Sequence, residues 1–187
     1  MSSHLDYEIN KELGECYLFM GDMDKAEEYY TKAASSNGIH PDPYLGLATI
    51  AVQRGDLSKA LGLYTKAAGI ESSDKAVAGM ALVEMELGFH DLAFGHFDEA
   101  LKINPENKVA IFGMVQLGYM LKQLDAVVPH LVNILALAPD KNDVRFTLAG
   151  CLVTLGNVEE ATVHLDEVLM REPDNAAAIE LYQSIMS

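Results

Sequence analysis

A repeat of about 34 residues constrains this chain more than any other feature of its sequence. Between residues 148 and 173, two segments with apolar residues at helical spacing are separated by Gly156, which indicates two helices joined by a tight turn. Moving back 34 residues at a time returns the same pattern, marked by Pro173, Pro139 and Pro105. A helix pair of this size cannot bury its apolar face alone, so successive copies must pack on one another.

In most copies, the second helix carries a small, a large and a small residue at fixed positions. These positions are, in order, Ala26, Tyr30 and Ala33; Ala60, Tyr64 and Ala67; Ala93, Phe97 and Ala100; Val127, Leu131 and Ile134; Ala161, Leu165 and Val168. The turn before this helix has glycine at Gly21, Gly55, Gly88 and Gly156, with Lys122 in the fourth copy. This arrangement resembles the tetratricopeptide repeat over residues 7–175. The resemblance implies an all-α fold, a right-handed α-solenoid superhelix of helix-turn-helix pairs.

The period divides the chain into five repeats with a short segment at each end. We expect a lead-in at residues 1–6, repeats at 7–40, 41–73, 74–107, 108–141 and 142–175, and a capping helix at 176–187. The fourth repeat is irregular, because Lys122 replaces the turn glycine and Pro129 falls inside the expected second helix. Proline clashes with the preceding helical turn, so this helix is predicted to begin at Asp125 or later, or to kink near Pro129.

Composition narrows the classes of partner. The formal net charge of −15 disfavours nucleic acid and anionic membrane surfaces, and it favours partners that are neutral or basic. No apolar run reaches the ~18 residues of a membrane span, so membrane insertion is not expected. The N-terminal sequence lacks the layout of a signal peptide, which predicts a cytoplasmic protein.

Candidate catalytic and metal-binding residues are few. His96, His130 and His164 recur every 34 residues, but equivalent atoms of helices packed ~8–10 Å apart cannot share a zinc ion, so we expect surface histidines. Cys16 and Cys151 fall four repeats apart, which predicts reduced, buried thiols. The chain has none of the common catalytic or nucleotide-binding motifs, so we predict no enzymatic activity, no cofactor and no metal.

Three aligned glycines inside first helices invite an explanation. Gly46, Gly79 and Gly113 each cost roughly 1 kcal/mol relative to alanine in a helix. Either neighbouring helices pack closely at these positions, or the inner surface is hollowed there for a ligand, or the glycines are simply tolerated.

The resemblance also implies a binding surface, because fixed positions of each first helix line a concave groove in the family. The candidate partner-binding residues at these positions are Phe19, Leu45, Val52, Leu82, Met85, Phe112, Gln116, Tyr119, Met120, Phe146 and Val153. This lining is mainly apolar. It does not resemble the carboxylate-clamp version of the family, since only Lys11 matches and Glu15 stands where an asparagine is wanted.

We therefore expect a protein–protein interaction scaffold or adaptor that binds an apolar, neutral-to-basic peptide or helix of a partner in its groove. A self-assembling structural protein that forms homo-oligomers through the groove or the cap is the alternative, and an enzyme-accessory subunit is a third possibility. The aromatic side chains could equally fill contacts between neighbouring first helices, in which case they would be buried.

Overall fold

Helices account for most of the described backbone. The computed structural model describes residues 2–36 and 38–186, and within these ranges it contains eleven α-helices and no strand. The helices are α1 Ser2–Phe19, α2 Met23–Ser36, α3 Asp42–Gln53, α4 Leu57–Ile70, α5 Asp74–Glu86, α6 His90–Ile103, α7 Lys108–Leu121, α8 Leu124–Leu137, α9 Asn142–Thr154, α10 Val158–Arg171 and α11 Ala176–Met186. The fold is thus an all-α solenoid of helix-turn-helix pairs, as predicted. None of the described helices is both long enough and apolar enough to cross a membrane.

The chain divides into two compact units, Met1–Gly113 and Met114–Ser187. The first unit contains α1–α6 and the beginning of α7, and the second contains the rest of α7 and α8–α11. Helix α1 begins at Ser2, so the described part of the expected lead-in is helical.

The turns within the helix pairs use left-handed backbone. Gly21, Gly55, Gly88 and Gly156 have φ angles between 77° and 85°, where glycine avoids the steric penalty of a side chain. Lys122 adopts the same conformation, with φ at 58°, and it is the one residue other than glycine to do so in the described part of the chain. The backbone N–H of the following residue, Gln123, donates to the carbonyl of Gly118 at 2.9 Å, the bond that closes a helix end before a left-handed residue. The fourth turn therefore keeps its geometry without glycine.

This turn geometry explains why the expected late start of α8 is wrong. With Lys122 closing α7, α8 begins at Leu124, directly after Gln123. Pro129 is then the sixth residue of the helix, and its missing N–H removes only one bond of the helical ladder. The kink near Pro129 stays a prediction.

The aligned glycines make room for buried aromatic rings of the preceding helix pair. A Cβ atom built on Gly46 would lie 2.3 Å from the Tyr30 ring, and one on Gly79 would lie 2.3 Å from the Tyr64 ring. On Gly113 it would lie 2.2 Å from the ring of Phe97. Ordinary carbon–carbon contacts are ~3.5–4.0 Å, so only glycine permits these helices to approach so closely. Close packing against these rings is sufficient to account for the three glycines.

Helix α11 covers the apolar side of the second unit. Its buried Ala178 packs with Ala149 of α9 and with Leu165 and Val168 of α10. Leu181, Tyr182 and Ile185 pack on the same cluster while remaining half-exposed. The contacts leave the polar residues Glu180, Gln183 and Ser184 of α11 exposed.

Candidate functional site

The eleven predicted partner-binding residues all keep accessible surface. Phe19 is 95% exposed and Phe112 is 70% exposed, and Gln116, Tyr119 and Met120 are also exposed. The half-buried members are Leu45, Val52, Leu82, Met85, Phe146 and Val153. None of the eleven is fully buried, so each has surface that a partner could contact.

In the first unit, a shallow cavity joins the turn between α3 and α4 to helix α5. This cavity of about 330 Å³, which we call pocket A, is lined by Val52, Gly55, Leu57, Leu82, Val83 and Glu86. Its walls are mostly apolar, and Glu86 is the one charged residue among them. Gly55 leaves one side open, because a Cβ atom added there would meet nothing within 4 Å.

A second cavity lies between α5 and the beginning of α7. Pocket B has a volume of about 320 Å³ and is lined by Leu82, Lys108, Val109, Phe112 and Gly113. Almost all of its surface is apolar, so Lys108 contributes mainly its hydrocarbon stem. Leu82 belongs to both pockets, which makes Val52, Leu82, Val109 and Phe112 one continuous surface, the apolar strip.

The close packing at the glycines positions this strip. Gly79 lies three residues before Leu82, and its contact with the Tyr64 ring holds α5 against α4. Gly113 follows Phe112 directly and admits the Phe97 ring on the buried side of α7. The buried rings thus fix the helices whose other side carries Leu82 and Phe112.

Leu45, Met85 and Phe19 are also in the first unit. Leu45 packs against the same core cluster as Val52, which includes Ala48 and Tyr64. Phe19 is the last residue of α1.

In the second unit, Tyr119 lies against α9. Its hydroxyl hydrogen-bonds with the side chains of Cys151 and Thr154, and burial, followed by the nearby thiol, raises the pKa of Tyr119 to about 12. Gly150 faces this hydroxyl, since a Cβ atom there would lie 3.3 Å from it. A cavity of about 330 Å³ is lined by Tyr119, Lys122, Leu124, Thr154 and Leu155.

Phe146 has a different environment from the other aromatic candidates. It packs against the cluster that α11 covers, together with Leu181 and Tyr182. Its accessible surface is therefore smaller than that of Phe112, although the two residues occupy equivalent positions in their repeats.

The pockets are also lined by residues outside the set of eleven candidates. Glu86, Leu57, Lys108 and Val109 were not among the eleven candidates. Glu86 and Val109 occupy lining positions of their first helices, so residue position alone was sufficient to find them. Leu57 and Lys108 required the structure, because they come from the start of α4 and the start of α7.

The three aligned histidines have unlike surroundings. His96 Nδ1 lies 2.6 Å from a carboxylate oxygen of Glu84, which is 97% buried. His164 Nδ1 is buried with no hydrogen-bond partner in the described residues, and burial, followed by the Arg145 charge, lowers the pKa of His164. Within residues 2–36 and 38–186, no group of three or more metal-ligating side chains is close enough to hold a metal ion.

The two cysteines are free thiols with different exposure. Cys151 is buried, as expected, whereas Cys16 is exposed and that expectation is wrong. The residues equivalent to Cys16 are Ile50, which packs with α2, and Val83, which packs with α4. Because α1 is the first described helix, no preceding second helix in the described residues packs on Cys16 in this way.

Comparison with known proteins gives one family. Models of the tetratricopeptide repeat match residues 8–40 and residues 119–185. The chain is 33% identical over 107 residues to the BBSome complex member BBS4 of Bos taurus. This match covers 57% of the chain but only 20% of that protein, so the chain spans about a fifth of its relative.

Several solved structures share the fold over most of the chain. YrrB, described as a TPR protein with an unusual peptide-binding site, gives a TM-score of 0.70 at 17% identity, covering 93% of this chain and 90% of its own. A tetratricopeptide repeat protein from Parabacteroides merdae gives 0.73 at 22% identity, with coverages of 97% and 72%. MamA gives 0.70 at 16% identity, with coverages of 91% and 94%. At these identities the likeness concerns the fold alone.

Proposed function

Because the chain belongs to the tetratricopeptide repeat family, we propose that it is a non-catalytic scaffold or adaptor that binds an apolar peptide or helix of a partner protein. Proteins of this family are in general protein–protein interaction scaffolds. The observation that carries the proposal is the apolar strip of pockets A and B, where Leu82 connects Val52 to the exposed ring of Phe112.

The strip has the properties of a protein-binding surface. Two adjacent cavities of about 330 and 320 Å³ can each receive one apolar side chain of a partner. A partner's side chains that fill these cavities would cover Leu82 and Phe112. Burial of apolar surface stabilises such a complex by about 25 cal/mol for each Å² removed from water. Aromatic residues in such positions are frequent binding hot spots.

A catalytic role has less support at the same surface. Pockets A and B contain one carboxylate, from Glu86, and one amine, from Lys108, which line different cavities. Among the described lining residues there is no pairing of a nucleophile with a base, which acyl or phosphoryl transfer would require.

The relatives support the proposal without specifying the partner. BBS4 is named as a member of a protein complex, and YrrB is described as having a peptide-binding site. We extend to this chain only the shared feature, which is an association with another polypeptide. The negative charge of the chain favours a neutral or basic segment over an acidic one.

The experiment selects peptides from a random display library on the intact chain and measures their affinity for variants. Phe112→Ala should weaken a selected peptide by roughly 1–3 kcal/mol, the range of interface hot spots. Phe89→Ala is the matched control, since Phe89 is 55% exposed but does not line pockets A or B. We expect no change in that control.

Two results would contradict the proposal. One is that selected peptides bind Phe112→Ala and Phe89→Ala equally well. The other is that the strip is occupied by a second copy of the chain, which sedimentation equilibrium over a range of concentrations would detect as a dimer abolished by Phe112→Ala. That result would favour the self-assembling alternative.

A further inference from the structure

Glu86 is a charged residue without a partner at the edge of an apolar cavity. It is the last residue of α5, it is exposed, and it lines pocket A together with Val52, Leu57 and Leu82. Within the described residues its carboxylate makes no hydrogen bond and no ion pair. A free carboxylate in this position needs water, or a donor from elsewhere, to satisfy its oxygens.

Two other carboxylates of the first unit, Glu27 and Asp74, are satisfied by the chain itself. The side chain of Glu27 accepts hydrogen bonds from Arg54 and from Lys59. Asp74 accepts hydrogen bonds from the amides of Asn104 and Asn107, both at 2.8 Å. These basic and amide side chains thus already donate hydrogen bonds to carboxylates that do not line pocket A. No cation of the described residues pairs with Glu86, so its carboxylate is available to a basic group of a bound partner.

Occupation of pocket A would place a partner's side chains beside this carboxylate. An apolar side chain that fills the cavity displaces part of the water around Glu86, and a basic group of the same partner can replace that water as the donor to its oxygens. Pocket B has no carboxylate among its described lining residues. Lys108 lines it with methylene groups, and its flexible stem allows the ammonium group to remain in water while a ligand is bound.

The relation between the two pockets limits the spacing of the partner's apolar residues. Both cavities are lined by Leu82 of α5. Pocket A lies on the side of α5 that faces α3 and α4, and pocket B lies on the side that faces α7. Packed helices are separated by ~8–10 Å. A polyproline II segment covers that distance in about three residues at ~3.1 Å each, with every third side chain on the same face. An α-helix covers it in about seven residues at ~1.5 Å each.

We propose that pockets A and B bind a basic segment of a partner protein with two apolar anchors and a lysine or arginine that pairs with Glu86. The anchors are spaced i and i+3 if the segment is in the polyproline II conformation, or i and i+7 if it is helical. The basic residue lies beside the anchor in pocket A, which fixes the direction of the segment along the apolar strip. This inference rests on the proposed function and adds the partner's charge pattern and orientation to it.

Selection from a random peptide display library tests the charge pattern. The intact chain, Glu86→Gln and the control Glu99→Gln are each used as the target. Glu99 is exposed on α6 and lies outside both pockets, so its replacement removes the same charge without changing pocket A. Peptides selected on the wild type and on Glu99→Gln should be enriched in Lys or Arg beside an apolar residue. Peptides selected on Glu86→Gln should lose that enrichment.

Affinity measurements on one selected peptide give the second test. Replacing its basic residue with glutamine should weaken binding to the wild type by about 2- to 5-fold, the range of a partly exposed ion pair. The same replacement should have no effect on binding to Glu86→Gln, and added salt should reduce the wild-type difference.

The outcomes separate this inference from the proposed function. Peptides whose binding depends on Phe112 but that carry no basic residue coupled to Glu86 would overturn the charge pattern and leave the apolar strip as a binding surface. Peptides whose binding is independent of Phe112 and Leu82 would overturn both.

Discussion

Replacing Gly79 with alanine tests the packing that positions the apolar strip. Gly79 lies inside α5, and a Cβ atom there would lie 2.3 Å from Cε1 of Tyr64 and 2.6 Å from two further ring atoms. Carbon atoms in ordinary contact are ~3.5–4.0 Å apart, so the added methyl group is more than about 1 Å too close. Tyr64 is only 8% exposed, so its ring has little space into which to move.

The expected change in stability is the sum of two opposing effects. Overpacking of a filled core costs about 1–3 kcal/mol. The better helix propensity of alanine returns about 1 kcal/mol. Gly79→Ala should therefore lower the free energy of unfolding by up to about 2 kcal/mol.

Gly62 provides the matched control, because it lies inside α4 and a Cβ atom there would meet nothing within 4 Å. Gly62→Ala should improve the helix propensity without causing a steric clash, and it should therefore raise the free energy of unfolding by about 1 kcal/mol. Thermal denaturation followed by circular dichroism would report each kcal/mol as a shift of about 2–4 °C. Equal stabilisation by Gly79→Ala and Gly62→Ala would refute the packing argument.

A double variant identifies the ring as the cause. In a Tyr64→Leu background the ring that Gly79→Ala meets is absent, so the cost of the glycine replacement should fall. If Gly79→Ala costs as much in that background as in the wild type, the destabilisation has another source.

Four further outcomes are expected. Lys122→Gly should raise the free energy of unfolding by about 1 kcal/mol in urea titrations, because glycine adopts the left-handed backbone conformation at this position without steric strain. An unchanged urea midpoint would show that Lys122 is not strained. His96→Ala should lower the free energy of unfolding by about 3 kcal/mol at neutral pH, because it leaves the carboxylate of Glu84 buried without its partner. A loss no larger than that of an ordinary surface substitution would contradict this expectation. A thiol reagent should modify Cys16 rapidly and Cys151 only after unfolding, because Cys151 is buried and burial raises the pKa of its thiol; equal rates in the folded chain would be inconsistent with this. Deletion of residues 176–187 should expose the α9–α10 cluster and cause aggregation visible by light scattering, whereas a monomeric and equally stable product would argue against a covering role for α11.

The fold was predictable from the sequence because the same repeat pattern occurs five times along the chain. Ala26, Tyr30 and Ala33 have apolar counterparts at the same spacing in every later copy, and each copy predicts the same helix pair. Two details were not accessible in this way. The pattern could not say that Lys122 would tolerate left-handed backbone, nor that the alignment of Gly46 with its counterparts served close packing. Both depend on what lies opposite the residue in space, which a one-dimensional pattern does not contain.

The candidate site was predictable only in part, for a related reason. The period places Phe112 and Phe146 at equivalent positions, but α11 gives Phe146 additional neighbours that Phe112 does not have. Pocket A depends on Leu57, a residue of the second helix, and on the absence of a side chain at Gly55. Such contributions come from the turn and the neighbouring pair, so positions within first helices could not identify them.

Methyl NMR spectroscopy of the intact chain with a selected peptide identifies the surface on which the peptide binds. Val52, Leu82 and Val109 carry methyl groups on pockets A and B, whereas the exposed Val132 and Val163 lie on α8 and α10. Titration with the peptide should shift the methyl signals of the first three residues and leave those of the other two unchanged. Shifts at Val132 or Val163 without shifts at Leu82 would show that the peptide binds outside the apolar strip.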